Sequence, residues 1–195
     1  MPAMSPRFFK DHYYHIYNHS IDGLRLCYTS ENYDFLLGKI ASSLWDYEVD
    51  LIAYCLMPNH YHFFVRQLSE TSLSSWIQSI FNSYSQALNH QLQRHGTLFL
   101  GRAKRRDVDK DGYRIHLMRY IHYNPVDAKL VSAPELWPYS NYLEYIGKRE
   151  RGMFNADFLR NYFSSPKEYK KFMDEYQAEK QLAEKMRCYL FKEPS

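Results

Sequence analysis

VDLIAYCLMPNHYHFFVRQ, residues 49–67, holds two runs of β-favouring residues parted by a Pro-Asn turn signal. VDLIAYCLM (49–57) reads as one strand and HYHFFVRQ (60–67) as the next, and so short a link makes them antiparallel neighbours. The second run also carries two histidines, His60 and His62, one residue apart among apolar neighbours. Both the fold and the chemistry of the chain turn on what surrounds this hairpin.

Working outward, YYHIYNHS (13–20) alternates as a strand. TSENYDFLLGKIASSLWDY (29–47) opens on a capping signal and carries Tyr33, Leu36, Leu37, Ile40 and Leu44 at helical spacing. After the hairpin, TSLSSWIQSIFNSYSQALNHQLQRHG (71–96) predicts a long helix with Gly96 just past its end. LFLGRAKRRDV (98–108) predicts a last strand running into a basic turn, and DGYRIHLMRYIHY (111–123) a helix stopped by Asn124-Pro125. The order β-α-β-β-α-β-α predicts an α+β fold of the ferredoxin-like, split-βαβ plan. Its two crossover helices should cover one face of a mostly antiparallel sheet, with one helix added. Residues 131–147 are turn-rich and aromatic and should pack back on the domain. SPKEYKKFMDEYQAEKQLAEKMRCYLF (165–191) predicts a single amphipathic helix with Tyr169, Phe172, Met173 and Tyr176 along one face. The expected division is a domain over 1–147 and a basic helical extension over 148–195. That extension is expected to fold over the domain and cover its binding face, to pair with a second copy in a homodimer, or simply to pack as a helix against the domain.

Composition narrows the function classes. The chain has 195 residues, 45% hydrophobic and 24% charged, an ordinary globular balance. It contains neither the apolar run of a membrane helix nor an apolar leader, and membrane association is not expected. Cys27, Cys55 and Cys188 make neither a disulfide framework nor a zinc pattern, which suits a reducing cytoplasm. The net charge of +3 is unevenly spread: residues 98–130 hold 8 Lys and Arg against 4 Asp and Glu, with four cations in GRAKRR (101–106). With 19 tyrosines in the chain, aromatic faces among cations suit a polyanion that carries flat bases.

Alternation along a strand puts His60 and His62 on one face, about 6.5–7 Å apart at Cα, with Tyr61 pointing into the opposite layer. Two imidazoles at that separation can converge on one ion, but a third ligand has to come from elsewhere. The helix at 111–123 offers one, because Tyr120 and Asn124 are four residues apart and share a helix face. Tyr113 and His116 lie near the same face. A tyrosine beside an amide oxygen that can ligate a metal suits cleavage of a phosphodiester through a phosphotyrosine. A phenol has a pKa of about 10 and needs positive charge or a base nearby; Arg119, the metal and GRAKRR are the sources. The plain alternative makes Tyr120 one more core tyrosine and the histidines locally bonded.

MPNHYHFFV resembles the histidine–hydrophobic–histidine (HUH) motif of single-tyrosine transposases of the IS200-like kind. LFLGRAKRRDV, then RYIHYNPVDAKLV, then PELWPYSNY are similar to the REP-associated tyrosine transposases, so the resemblance runs from about Tyr13 to Tyr145. It implies a metal-dependent single-strand DNA endonuclease and strand transferase on a ferredoxin-like core, acting on DNA that folds into hairpins. On this resemblance His60 and His62 are metal ligands, Asn124 is the polar third ligand and Tyr120 the nucleophile, which forms a 5′-phosphotyrosine and leaves a free 3′-OH. The metal expected is Mg2+ or Mn2+, since a hard oxygen stands beside imidazole. Arg102, Lys104, Arg105, Arg106 and Arg119 are expected to meet DNA phosphates. Two departures stand out: Tyr61 fills the usually plain hydrophobic middle position, and NPVDAKL carries Asp127 where a cation often follows. The rival expectation is a domesticated protein that binds structured nucleic acid without cutting it.

Overall fold

The period of two along the strands sorts the side chains into two cores, one on each face of a four-stranded sheet. The computed structural model describes residues 8–21, 23–70, 73–153 and 155–175. Strands β1 (Tyr13–His19), β2 (Val49–Leu56), β3 (His60–Gln67) and β4 (Lys104–Asp107) lie in the order β2-β3-β1-β4, and every adjacent pair is antiparallel. Helix α1 (Ser30–Ser43) crosses from β1 to β2, and α2 (Leu73–Gln91) crosses from β3 to β4. This is the ferredoxin-like α+β plan, with the hairpin of 49–67 forming β2 and β3.

On one face Tyr14, Ile16, Tyr61, Phe63 and Val65 pack against Leu36 and Ile40 of α1 and Trp76, Ile80 and Tyr84 of α2. Trp76 is fully buried and its indole N–H donates to Ser43 Oγ at 2.9 Å. On the other face Ile52, Ala53, Cys55 and Phe64 meet Leu117, Met118 and Ile121 of helix α3 (Asp111–Asp127). A register shift between Leu51 and Ala53 is what lets the consecutive pair Ile52 and Ala53 both join the core on the α3 face.

Three boundaries differ from the sequence expectation. β4 spans four residues rather than most of 98–108, because Gly101 turns the chain at φ +76 and only an isolated bridge, Ser20 to Phe99, precedes it. α3 does not stop at Asn124-Pro125 but runs through Pro125 to Asp127. A proline this close to the end removes one helical hydrogen bond, that to the Ile121 carbonyl. The helix ends instead where Lys129 turns left-handed at φ 58, its N–H donating to Val126 O at 2.8 Å while Leu130 N–H donates to Pro125 O at 2.9 Å. The third difference lies in the tail. A short α5 (Ala156–Tyr162) is capped by the Asn155 side chain, which accepts from Phe158 N–H at 2.7 Å. The expected helix over 165–191 starts as α6 (Pro166–Asp174), with Ser165 capping and Pro166 in the first turn; Tyr176 and the rest of that span lie outside the described residues.

The segment after 147 joins the second core. Phe158, Leu159, Phe163, Tyr169 and Met173 are buried with α3 and with Tyr142 and Tyr145 of the short helix α4 (Tyr142–Tyr145). Tyr169 is fully buried and its hydroxyl meets His122 Nδ1 at 2.6 Å, while His122 Nε2 meets Asn141 Oδ1 at 2.9 Å. Asn141 Oδ1 also accepts from Tyr54 N–H, so His122 donates through Nε2 and accepts the phenol proton at Nδ1. Tyr169→Phe leaves that nitrogen buried without a donor and should cost about 1–3 kcal/mol. Urea unfolding of the variant and of wild type measures this; equal midpoints would refute a role for the Tyr169–His122 bond.

Candidate metal and tyrosine site

The β2–β3 turn delivers the first ligand candidate. Met57 N–H donates to His60 O at 2.8 Å and closes the turn around Pro58-Asn59. His60 then opens β3 opposite His19, and His62 lies opposite Tyr17, so the α3-facing side of the two central strands shows His15, Tyr17 and His19 beside His60 and His62. The rings are stacked in pairs, His19 on His60 with centroids 4.7 Å apart and His15 on His62 at 5.2 Å. Tyr61 is fully buried on the other face, as alternation requires.

Asn124 crosses the sheet on α3 and its amide meets both imidazoles. Its Oδ1 is 3.1 Å from His60 Nε2 and its Nδ2 is 3.4 Å from His62 Nε2. The Nδ1 atoms point away, His60 Nδ1 to Asn59 Oδ1 at 2.8 Å and His62 Nδ1 to His15 Nε2 at 3.0 Å. An imidazole whose proton sits on Nδ1 turns a bare Nε2 lone pair toward Asn124. If both rings are so protonated, whichever way the amide is turned, one of the two Nε2 atoms faces an oxygen lone pair to lone pair. A cation held by these atoms would relieve that conflict. Tyr120, one turn before Asn124, sets its ring edge-on to His62 at 5.3 Å and to His15 at 6.3 Å.

Burial makes the imidazoles poor bases. His60 is pushed down to about 4 by burial and by His19 beside it, and His15 to about 3 by burial and by the Arg106 guanidinium. His19 is also lowered, by burial and by Lys104. All are neutral near pH 7, with lone pairs available. Tyr120 and Asn124 are 5% and 6% exposed and His62 1%, whereas His60 is half-buried and His19 exposed, so the site opens to solvent along the His60–His19 edge. Among the described residues no group of three or more His, Cys, Asp or Glu side chains could hold a metal. The donor set is two imidazole nitrogens and one amide oxygen, which fits a divalent ion that takes its remaining ligands from water or substrate.

The cations divide between the two faces. Lys104 pairs with Tyr17 and Arg106 with His15, so both stand on the face of the site; Arg102 is exposed in the turn before them. Arg105 pairs with Ile16 and lies over the rings of Phe8 and Tyr14, at 4.8 and 5.4 Å, on the opposite face. Arg119 is 1% exposed; it meets His116 Nδ1 at 2.9 Å and lies 4.4 Å over the Phe172 ring under α6. Of the cations expected to meet DNA, Arg105 therefore stands on the sheet face away from the histidines, and Arg119 is buried under α6. His116 likewise faces Phe172 rather than the histidine pair. Tyr123 is buried, and burial together with Asp174 and Glu135 raises its pKa, whereas the Tyr120 ring packs edge-on against His62. Sequence reading missed His15, His19 and Asn59; the spacing of His15, Tyr17 and His19 in β1 carried the signal, but only a strand register turns it into a contact.

A family model described as transposase, IS200-like, matches residues 9–124, ending on Asn124. A solved REP-associated tyrosine transposase bound to a REP hairpin superposes with a TM-score of 0.64 at 19% identity, over 80% of this chain and 89% of that one. A candidate transposase from Deinococcus radiodurans R1 superposes with a TM-score of 0.41 at 14% identity, over 62% of this chain and 95% of that one. No curated protein matches the chain.

The buried imidazoles set a pH dependence of stability. Their folded-state pKa values lie below the unfolded value of about 6.5, so below that pH the unfolded chain binds protons that the folded chain refuses. Stability is full above about pH 6.5 and falls toward pH 4, by up to about 1.4 kcal/mol per pH unit for each excluded proton. Urea midpoints of the metal-free protein at about pH 7 and about pH 5 check this. His15→Gln, which cannot titrate, should narrow the gap, and an equal gap in the variant would contradict the burial of a neutral His15.

Proposed function

The chain belongs to the IS200-like transposase family, and within it we propose a REP-associated, single-tyrosine HUH nuclease and strand transferase. The observation that carries this reading is the convergence of His60 Nε2 and His62 Nε2 on the Asn124 amide, with Tyr120 edge-on to His62 one turn earlier. Tyr120 Oη attacks the phosphorus of a single-stranded or hairpin DNA phosphodiester. The bond to the 3′-oxygen breaks as the Tyr–O–P bond forms, so the phenol proton is lost and the leaving 3′-oxygen gains one. The product is a 5′-phosphotyrosine and a free 3′-OH, and one phosphodiester is exchanged for another, so strand joining is the same step reversed.

His60, His62 and Asn124 would hold Mg2+ or Mn2+, which when bound polarises the scissile phosphate and withdraws charge from the transition state. The chain's own residues do the remaining work. The T-shaped contact with His62 orients the phenol, Lys104 and Arg106 draw the backbone toward the same face, and Arg102 extends that reach along the turn. The body over 1–147 carries these groups in a cytoplasmic protein, and the extension from 148 supports α3 from behind. One observation favours the rival reading, a domesticated protein that binds structured nucleic acid without cutting: Tyr120 is buried, at 5% exposed.

Incubation with hairpin oligonucleotides and Mn2+ separates the two, read as a covalent protein–DNA adduct on a denaturing gel. Wild type, Tyr113→Phe and Tyr123→Phe should form the adduct, and Tyr120→Phe should lose it while still binding the hairpin. An adduct that survives in Tyr120→Phe, or maps to another residue by mass spectrometry, overturns the assignment.

The cations give an independent measurement by fluorescence anisotropy across a salt series. Lys104→Gln and Arg106→Gln should each weaken hairpin binding and reduce the slope of log affinity against log salt by about 0.7–0.9. Arg105→Gln, on the other face, should leave the slope unchanged; an effect as large as that of Arg106→Gln would contradict the division of faces.

A further inference from the structure

His15 sits in β1 with no exposed surface, and nothing in the reaction above uses it. Its ring lies over Tyr17 at 4.8 Å and over His62 at 5.2 Å, contacts that a phenyl ring would make as well. What phenylalanine would lack is Nε2, which is 3.0 Å from His62 Nδ1. The other nitrogen, His15 Nδ1, is buried without a hydrogen-bond partner among the described residues. A buried polar atom left unmet asks for a reason, and here the reason lies at the far side of the ring.

A single proton lies in the contact between the two imidazoles. If His15 donates it, His62 carries its own proton on Nε2 and presents an N–H toward Asn124. If His15 accepts, His62 is protonated on Nδ1 and presents the Nε2 lone pair. Only the second arrangement makes His62 a metal ligand. His15 then holds its proton on Nδ1, the atom left without a partner, which is the cost of the arrangement. β1 runs between β3 and β4, so His15 also stands between His62 and Arg106. A guanidinium in its place could only donate, and would force the wrong tautomer.

Resting on the metal-centre reading above, we propose that His15 is a positioning residue of that centre: it accepts the His62 Nδ1 proton and so aims the Nε2 lone pair at the cation. It is not itself a ligand in this reading, and it meets Tyr120 ring to ring, with centroids 6.3 Å apart. His60 is fixed in the corresponding way by its neighbour Asn59, whose Oδ1 is 2.8 Å from Nδ1. The two ligands therefore have different outer partners, one an amide within the turn and the other a histidine a strand away. In neither case is the partner a carboxylate, so neither ligand gains the extra basicity that a carboxylate would lend.

Nitrogen-15 NMR of the imidazole rings in the metal-free protein reads the tautomer of His62 directly, with no metal and no turnover. Wild type should show His62 protonated on Nδ1. His15→Phe keeps the packing but removes the acceptor, and should shift His62 toward the Nε2–H tautomer. It should also weaken Mn2+ binding, followed by EPR titration, by about 10–100-fold. His15→Gln restores an acceptor oxygen at the position of Nε2 and should recover both. A wild-type His62 protonated on Nε2 overturns the proposal even if neither variant folds, as does a His15→Phe protein with an unchanged tautomer and unchanged Mn2+ affinity. Wild type that shows the His15-dependent tautomer but binds no Mn2+ overturns the metal-centre reading instead, and leaves the hydrogen-bond direction established.

Discussion

A period of two residues in β3 is the constraint on which everything else hangs. Tyr61, Phe63 and Val65 are fully buried against α1 and α2, while His60, His62 and Phe64 turn to α3. A slip of one residue would drive two imidazoles in among Trp76, Ile80 and Phe81 and leave three large apolar side chains facing the site. Each of those is worth about 1.5–3 kcal/mol when fully buried, so the register is held by a core that contains none of the chemistry. The site inherits its precision from the opposite layer of the molecule.

The second constraint is that α3 is buried nearly all the way round from Leu117 to Pro125. Polar side chains on such a helix need partners, and three of them reach contacts on other elements. Arg119 meets His116 and the face of Phe172, His122 meets Tyr169 and Asn141, and Asn124 meets the histidine pair. Two of these three anchors reach to α6. The segment after 147 thus fixes the rotation of α3, and with it the aim of Tyr120, without approaching the histidines. Continuation through Pro125 serves the same end, because Asn124 keeps helical geometry and stays one turn from Tyr120.

Elements whose identity is written in local periodicity were legible in the sequence. The hairpin of 49–67, the two crossover helices and the strand at Tyr13 stand within a few residues of where alternation and caps put them. His60, His62, Tyr120 and Asn124 were legible because each pair is fixed by one spacing, i to i+2 on a strand or i to i+4 on a helix, and the structure brings them together. What escaped depends on pairing between distant segments. His15 reaches His62 only through the β1–β3 register, and Arg105 parts from Arg106 only because β4 joins the sheet, so GRAKRR reads as one cluster until it has two faces. In the tail, α6 starts where the sequence put a helix, with Pro166 in its first turn, but α5 escaped because its apolar residues carry no period long enough to announce a helix of seven.

None of the ligand candidates His60, His62 and Asn124 is a carboxylate, which bears on how the reading proposed above would work. Two neutral imidazoles and an amide leave a bound dication with its full charge, and the neighbouring side chains Lys104 and Arg106 add to it rather than offset it. Such a centre attracts a cation weakly on its own, because nothing within it supplies negative charge. On that reading the DNA phosphates would supply it. Cation and nucleic acid would then favour each other's binding through the same Coulomb energy, and by linkage each would raise the other's affinity by an equal factor. Such a site would be assembled fully only with the strand in place, while the rim cations, which need no metal, would hold the strand near it beforehand. The separation of long-range attraction on β4 from short-range chemistry on β3 and α3 follows from the sheet order, in which β1 alone stands between them.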